Sequence, residues 1–258
     1  GVIDLDALAR LLEAGGGDAT LVSVMLANNE TGVIQPMARV VKLAHDHGAL
    51  VHCDGIQAGG KIAVDMAALG VDSLSLAAHK MAGPQGIGAL VLRDRTMVGR
   101  LVHGGGQEGG LRAGTESVPA IAGFGVAAAL AARDLARFGE LTKLRDDLES
   151  RVREIAPEVT IFGGAVPRLP NTAKFATPGL TSETQVIGLD LAGIAVSAGS
   201  ACAAGKAEPP YVLNAMGVDP DLALCGIRVS LGWSSTAVHM DAFVQAWRAL
   251  YDRAANST

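Results

Sequence analysis

Four short apolar runs, each of strand length, constrain the fold of this chain more than any other feature. They occupy residues 21–26, 50–54, 73–78 and 88–93. The first three alternate with segments of helical periodicity, and between the first two Pro36 begins a stretch that places Val40, Val41 and Ala44 on one face. Because strands that are joined through helices run parallel, the pattern predicts an α/β fold with a mainly parallel sheet.

The second half of the chain has a different organisation. An Ala-rich stretch begins near Ser117 and Pro119 and continues to about residue 155 with few helix breakers, which predicts a long helical region between two domains. A Gly- and Pro-rich loop follows at residues 157–170, with a short strand at 159–162. Strands are then predicted at 172–176, 194–197 and 227–231, and helices at 183–191 and 237–251. We predict part of a large domain at residues 1–130 and a smaller C-terminal α+β domain at residues 131–258.

The composition indicates a folded chain without an electrostatic preference for polyanions. Of the 258 residues, 49% are hydrophobic and 18% are charged, and the net charge is −5. We therefore expect neither nucleic acid nor an anionic membrane surface as a partner. No apolar run is long enough to span a bilayer, and residues 1–6 lack the regions of a signal peptide, which predicts a cytoplasmic protein.

The three cysteines differ in their sequence surroundings. Cys53, Cys202 and Cys225 form no C-x-x-C pair and cannot all pair in disulfides. Cys202 lies in a Gly- and Ala-rich segment whose composition favours mobility over packing, so it suits a reactive thiol in a mobile loop. A free cysteine is more often a small buried hydrophobe, and that interpretation is preferred for Cys53 and Cys225.

Polar residues follow two of the predicted strands. Asp54 ends one strand, Gln57 comes three residues later, and His79 and Lys80 follow the next strand. The carboxyl ends of parallel strands meet at the edge where α/β proteins bind ligands. A lysine there can form a Schiff base if its amine is unprotonated, and a carboxylate can keep a pyridinium nitrogen protonated. Taken singly, a solvated lysine and a turn-capping aspartate are commoner, so the prediction rests on the combination.

Six sequence blocks occur in the order typical of one enzyme family. They are MLANNETG at 25–32, HCDGIQ at 52–57, HK at 79–80, HGGGQE at 103–108, RAGT at 112–115 and SAGSAC at 197–202. Over essentially its whole length the chain resembles class V, aminotransferase-fold enzymes that use pyridoxal 5'-phosphate (PLP), particularly cysteine desulfurases of the nitrogen-fixation and iron–sulfur-assembly type. The resemblance implies an aspartate aminotransferase-like fold with a partial large domain.

The resemblance also implies cofactor-binding roles. Lys80 would hold PLP as a Schiff base and move protons during catalysis, and Asp54 would contact the pyridine nitrogen. Asn29 and Gln57 would lie near the ring hydroxyl. His79 would contact the phosphate and belong to the catalytic group.

Further roles concern the substrate and a second subunit. Arg228 would bind the substrate carboxylate, with Asn29 beside the substrate, and Cys202 would receive the sulfur. Thr115 would reach the phosphate of the neighbouring subunit's cofactor, which implies a homodimer with shared active sites. A lone His103 without His or Cys neighbours predicts no metal site, and His45, at a polar helix end, suits a surface role.

The chain departs from the family pattern in three ways. Ala77 replaces the usual serine three positions before Lys80, and Gly109 replaces a usual basic residue, so weaker PLP binding is expected. Full-length relatives carry an additional N-terminal section with a Gly-Ala-Thr phosphate loop and a histidine that stacks on the PLP ring. Nothing in this sequence matches either, so we expect an uncovered sheet edge and exposed apolar faces.

The leading interpretation is an L-cysteine desulfurase that makes L-alanine and a persulfide on Cys202. The sulfur would pass to an acceptor protein for iron–sulfur cluster assembly, tRNA thiolation or a related pathway. A selenocysteine lyase, or another class V lyase acting on a β-substituted alanine, is a close alternative. A truncated, non-catalytic desulfurase-like chain that binds a partner is a second alternative, whereas a nucleotide-binding module is disfavoured because its fingerprint is absent.

Overall fold

The computed structural model describes residues 1–15, 20–95, 98–199 and 210–256. The chain divides into two compact units. The N-terminal unit comprises residues 2–27 and 35–135, and the C-terminal unit comprises Gly1, residues 28–34 and the chain from residue 136 onward. The sequence prediction had one boundary, between residues 130 and 131, and did not anticipate that segment 28–34 groups with the C-terminal unit.

A four-stranded sheet forms the centre of the N-terminal unit. The described elements in chain order are α1 (Leu5–Ala14), β1 (Leu21–Met25), α2 (Met37–Asp46), β2 (Leu50–Asp54), α3 (Met66–Leu69), β3 (Ser73–Ala77), β4 (Gly88–Leu92) and α4 (Val118–Arg133), and 3-10 helices lie at Ala78–Met81 and Gln107–Gly110. The strand order is β1-β2-β3-β4. The first three strands run parallel and β4 runs antiparallel to β3, which confirms the predicted mainly parallel sheet.

Helix α2 covers one face of this sheet. It buries Met37, Val40, Val41 and Ala44, the spacing of an amphipathic helix, and it packs against β2. The helix ends at Asp46, and Gly48 then adopts a left-handed conformation with φ of 73°, which glycine adopts without steric cost. The predicted helix after Pro36, with Val40, Val41 and Ala44 on one face, is thereby confirmed.

The opposite face of the sheet is more exposed. Side chains alternate along a strand, so the register places Leu21 and Met25 of β1 on the same face as Leu50 and Asp54 of β2. The three apolar residues of this group are each at least 40% exposed, whereas Asp54 is half-buried. The predicted ligand-binding carboxylate therefore lies on the open face.

The Ala-rich region forms three helices rather than one long helix. These are α4, α5 (Leu135–Gly139) and α6 (Leu141–Ile155). The first break falls at Asp134, whose backbone N–H closes α4 by bonding to Leu130 O. Among the described residues no single helix has both the length and the apolar composition to cross a bilayer. Helix α4 and the helical segment at Leu135–Ile155 have them when taken together, but a bend of 66° separates the two.

The C-terminal unit contains a three-stranded antiparallel sheet and several helices, as predicted for a small α+β domain. Its further elements are β5 (Thr160–Ile161), β6 (Thr172–Ala176), α7 (Ser182–Leu191), α8 (Tyr211–Ala215), α9 (Pro220–Ala223), β7 (Gly226–Ser230) and α10 (Ala237–Ala255). The strand order is β5-β6-β7.

The predicted strand at residues 194–197 is wrong. Only Ser197 pairs, in an isolated bridge with Arg228. The backbone N–H of Ile194 bonds to Leu189 O and so closes the end of α7, which removes it from any strand ladder.

One face of the β6–β7 pair is apolar, and the other carries a charged side chain. Ala173 and Phe175 of β6, with Ile227 and Val229 of β7, face the main apolar core formed with α6, α7 and α10. Alternation sends Lys174 of β6 to the other face. A charged side chain in the middle of a buried strand requires a partner, because an unpaired buried charge is costly.

Candidate cofactor and substrate sites

Asp54 and Lys80 lie at the carboxyl ends of two adjacent parallel strands. Asp54 is the last residue of β2 and pairs with Ser75 of β3, and Lys80 lies in the 3-10 helix that follows β3 directly. The Oδ1 atom of Asp54 accepts a hydrogen bond from Ile56 N at 2.9 Å. This bond orients the carboxylate at the start of the turn that leads to Gln57.

The 3-10 helix after β3 presents His79 and Lys80 to the surface. Its other two members, Ala78 and Met81, are buried and anchor it, whereas His79 and Lys80 are exposed. The following Gly83 lies against α4, where an added Cβ would be 2.9 Å from the Ala127 side chain. Close packing of this turn therefore holds the lysine in place.

Two further residues, Gln57 after β2 and His52 within it, are held by side-chain hydrogen bonds. Gln57 Oε1 accepts a bond from Lys61 Nζ at 2.7 Å. His52, on the same face of β2 as Asp54, contacts Ser73 Oγ at 2.8 Å through Nδ1 and Ser75 Oγ at 3.3 Å through Nε2. Sequence reasoning gave His52 no role, although it begins one of the family blocks.

The loop around Gly109 explains one departure from the family pattern. Glu108 and Gly109 both have left-handed backbone conformations. The Arg95 guanidinium donates to Glu108 O at 3.1 Å, and a Cβ on Gly109 would collide with it. A positive charge therefore lies beside position 109 even though that position has no basic side chain. Thr115 is exposed in the same loop, just before α4.

In the C-terminal unit, segment 28–34 is tied to β6 and its flanks. Asn28 Oδ1 accepts bonds from the backbone N–H groups of Glu30 and Thr31 at 2.8 and 2.9 Å, which forms a tight turn. Leu169 N bonds to Gly32 O, and a Cβ on Gly32 would lie 2.9 Å from Thr172. This turn buries Glu30.

Arg228 is held by two partners from different parts of this unit. Its Nη1 donates to Asn29 O at 2.9 Å, and its Nη2 donates to Ser197 Oγ at 3.1 Å. The side chain is half-buried. Burial lowers the pKa of Arg228, and the nearby Glu30 carboxylate partly offsets that effect. The structure therefore brings the predicted residues Asn29 and Arg228 together, while Asp54, Gln57, His79, Lys80 and Thr115 belong to the N-terminal unit.

Sequence reasoning missed the buried pair formed by Lys174 and Glu30. Lys174 has no exposed surface, and its Nζ lies 3.8 Å from Glu30 Oε2 and donates to Gly226 O at 3.3 Å. Burial lowers the pKa of Lys174 to about 8, with Glu30 acting to raise it and Arg228 to lower it. A lysine at the centre of an otherwise apolar strand was the signal available in the sequence.

The cysteines divide as predicted where the structure describes them. Cys53 and Cys225 are buried free thiols. Burial, with a smaller contribution from Asp54, raises the pKa of Cys53 to about 11, and burial also raises the pKa of Cys225. Both are poor nucleophiles, because the thiolate is the reactive form. Cys202 lies outside the described residues.

Comparison with known proteins gives the family of the chain. The family model for aminotransferase class-V matches residues 1–243. This chain belongs to the class-V aminotransferase family. Among curated class-V relatives, the cysteine desulfurase of Klebsiella pneumoniae is 42% identical over 246 residues, which cover 95% of this chain and 62% of that protein. The cysteine desulfurase NifS of Azotobacter vinelandii is 39% identical and is covered to 60%.

Solved structures confirm the predicted fold. The class-V chain matches the X-ray structure of a NifS-like protein from Rickettsia africae ESF-5 with a TM-score of 0.90 and 37% identity. The match covers 98% of this chain and 67% of that one. This class-V chain therefore spans about three fifths of the length of its curated relatives.

The family implies PLP as cofactor, and the described residues of the N-terminal unit fit it chemically. Lys80 offers an exposed amine at the sheet edge that can form an imine, and Asp54 offers an oriented carboxylate at the end of the adjacent strand. The exposed His79, next to Lys80 in the same 3-10 helix, adds a group that can donate to a phosphate.

Proposed function

We propose that this chain is the catalytic part of a PLP-dependent cysteine desulfurase, which converts L-cysteine into L-alanine and a persulfide on Cys202. The observation that carries the proposal is the placement of Asp54 and Lys80 at the carboxyl ends of the adjacent parallel strands β2 and β3. The similarity to cysteine desulfurases over 95% of the chain supports the choice of substrate.

The residues of the N-terminal unit would bind the cofactor. Lys80 would hold it through its amine, Asp54 would keep its pyridine nitrogen protonated, Gln57 would lie by the ring hydroxyl and His79 would contact the phosphate. When bound, PLP supplies an electron sink that makes the substrate carbon acidic. Lys80 would then move protons to and from that carbon.

Arg228 would bind the substrate carboxylate, with Asn29 beside the substrate. A planar guanidinium suits a carboxylate, because two N–H groups can donate in parallel. Its bonds to Asn29 O and Ser197 Oγ fix the plane of the fork before a ligand arrives.

The sulfur step would use the Cys202 thiolate as the nucleophile. The thiolate attacks the substrate sulfur, the carbon–sulfur bond breaks, and its electron pair stays with the carbon, which takes up a proton to give alanine. The sulfur remains on Cys202 as a persulfide for an acceptor protein of iron–sulfur cluster assembly or another sulfur-transfer pathway.

The proposal includes a homodimeric assembly and a cytoplasmic location. Thr115, exposed before α4, would reach the cofactor of a second subunit, so the active form would be a homodimer. A cytoplasmic location suits a protein whose described cysteines, Cys53 and Cys225, are both free thiols.

Sulfide release from L-cysteine by the purified chain, with added PLP and a thiol reductant, tests the proposal. We expect release by the parent chain, and its loss in both Cys202→Ala and Lys80→Ala. Cys53→Ala is the matched control, because it removes a buried thiol and should keep the activity. Release that persists without Cys202 would contradict the mechanism.

A parallel absorbance measurement separates the alternatives. The parent chain should become yellow with PLP. Borohydride reduces the imine, so it should bleach the colour and leave the cofactor covalently attached to the parent after unfolding and dialysis, whereas Lys80→Ala should release it. A parent chain that stays colourless would support a non-catalytic desulfurase-like chain. A strong preference for selenocysteine over cysteine would support a selenocysteine lyase.

A further inference from the structure

We propose that Lys174 and Glu30 are positioning residues for Arg228: the buried ammonium of Lys174 holds the Glu30 carboxylate and so leaves Arg228 with a positive charge for a ligand carboxylate. The inference rests on the proposed role of Arg228 in the proposed function. All three residues belong to the C-terminal unit.

Lys174 and Arg228 place two positive charges on one face of the β6–β7 pair. Lys174 on β6 and Arg228 on β7 are register partners in an antiparallel pair, so their side chains start from the same face. Like charges in directly opposite positions are destabilising. Glu30 is the anion that acts on both cations. Two cations and one anion leave one net positive charge.

In the part of the chain that the structure describes, no hydrogen bond joins Glu30 to Arg228. Among the described residues, neither Glu30 Oε2 nor Arg228 Nε has a hydrogen-bond partner, although both atoms are buried. A buried carboxylate oxygen and a buried N–H of opposite polarity would gain from pairing. Instead, the Glu30 oxygen lies 3.8 Å from Lys174 Nζ.

Two hydrogen bonds to uncharged acceptors orient the guanidinium of Arg228. The Nη1 and Nη2 atoms of Arg228 donate to Asn29 O and Ser197 Oγ, which fixes the fork without neutralising it, because both acceptors are uncharged. Lys174 cannot receive an external ligand itself, since it is fully buried. Removal of the Lys174 charge would free Glu30 to pair with Arg228 and to cancel its charge.

Acetate, a bare carboxylate that needs no PLP, is the probe for this inference. Its dissociation constant is measured on the full chain at neutral pH from the nitrogen NMR signal of Arg228 Nε–H. We expect Lys174→Met to weaken acetate binding by about tenfold, because the released Glu30 carboxylate would then offset the charge of Arg228 at close range. Lys174→Arg keeps the charge and should retain binding.

The double variant Lys174→Met with Glu30→Gln shows whether weaker acetate binding in Lys174→Met comes from the lost charge or from disturbed packing. It removes the anion that would capture Arg228, so acetate binding should return to within about twofold of the parent value. The control Lys42→Met removes a lysine that is 76% exposed and should leave binding unchanged. Circular dichroism shows whether each variant is folded.

The pH profile adds a result that a packing role would not produce. The charged groups that act on Lys174 are Glu30 and Arg228, and its pKa of about 8 predicts that acetate binding by the parent weakens above that pH. Lys174→Arg should lack this decline. Unchanged binding in Lys174→Met, no recovery in the double variant, or no saturable binding by the parent would each overturn the inference. Absence of sulfide release with the acetate pattern intact would instead contradict only the proposed function.

Discussion

Lys174 and Arg228 lie directly opposite each other on the neighbouring strands β6 and β7, so that two cations share one face of a small sheet. The pair is stable in the fold because Glu30, held by the turn at Asn28, brings a carboxylate to the same place. A buried lysine among these groups has an unusual consequence for stability as pH changes.

We predict that the free energy of unfolding rises with pH between about 8 and 10.5 because of Lys174. Its pKa is about 8 in the folded chain and 10.5 without the surrounding protein. In this window the unfolded chain binds a proton at Lys174 that the folded chain lacks, so rising pH favours the folded state. The full effect is about 3 kcal/mol.

Urea unfolding of the parent and of Lys174→Met across this pH range measures the effect as a difference. The comparison cancels the contributions of other groups. One of them is Cys53, whose raised pKa makes the free energy of unfolding fall as pH rises above 9. A difference between the two proteins that does not change with pH would contradict the prediction.

Asp72 connects three parts of the N-terminal unit, and its removal should destabilise the chain. The side chain is fully buried, accepts bonds from Val51 N at 2.7 Å and His45 Nε2 at 2.9 Å, and is also bonded to Arg93. Asp72→Ala would leave a buried N–H without its acceptor, so we expect a loss of about 3 kcal/mol in urea unfolding. Within the described part of the chain, the exposed Asp46 pairs with Lys42 of its own helix, and Asp46→Ala should cost less than about 1 kcal/mol. Equal losses in the two variants would show that Asp72 has no special role.

Gln185 satisfies three buried groups in the core of the C-terminal unit. Its amide donates to Leu180 O and Cys225 O, and its Oε1 accepts from the indole N–H of Trp247. Gln185→Leu should therefore cost about 2–4 kcal/mol. In a double-mutant cycle with Trp247→Phe, the double variant should be more stable than the sum of the two losses predicts, by about 1 kcal/mol. Strict additivity would mean that the indole bond contributes nothing.

The buried cysteines should be unreactive in the folded chain. Burial raises the pKa of Cys53 to about 11 and also raises that of Cys225, so neither thiolate is populated near neutral pH. We expect a Cys202→Ala chain to react with a thiol-specific reagent only on the timescale of unfolding, and to show two thiols in denaturant. Fast labelling of the native variant would indicate that one of these cysteines becomes accessible.

The limits of sequence reasoning appear at particular residues. Strands β2 and β6 were predicted with the bounds observed, because each is a short, mainly apolar segment flanked on both sides by nearby Gly or Pro residues. The strand predicted at residues 194–197 was wrong, because the N–H of Ile194 closes α7 instead. His45 is exposed, as expected, but the sequence did not show that it contacts the buried Asp72, a partner that is distant in sequence.

Local order and motifs were enough to predict the family, the alternation of strands and helices, and the placement of Asp54 and Lys80 at strand ends. The grouping of segment 28–34 with the C-terminal unit, and the charge cluster of Glu30, Lys174 and Arg228, became visible in the folded chain alone. The physical reason is that pairing of buried charges depends on strand register and on a turn far away in the chain. Neither quantity is encoded in the spacing of neighbouring residues.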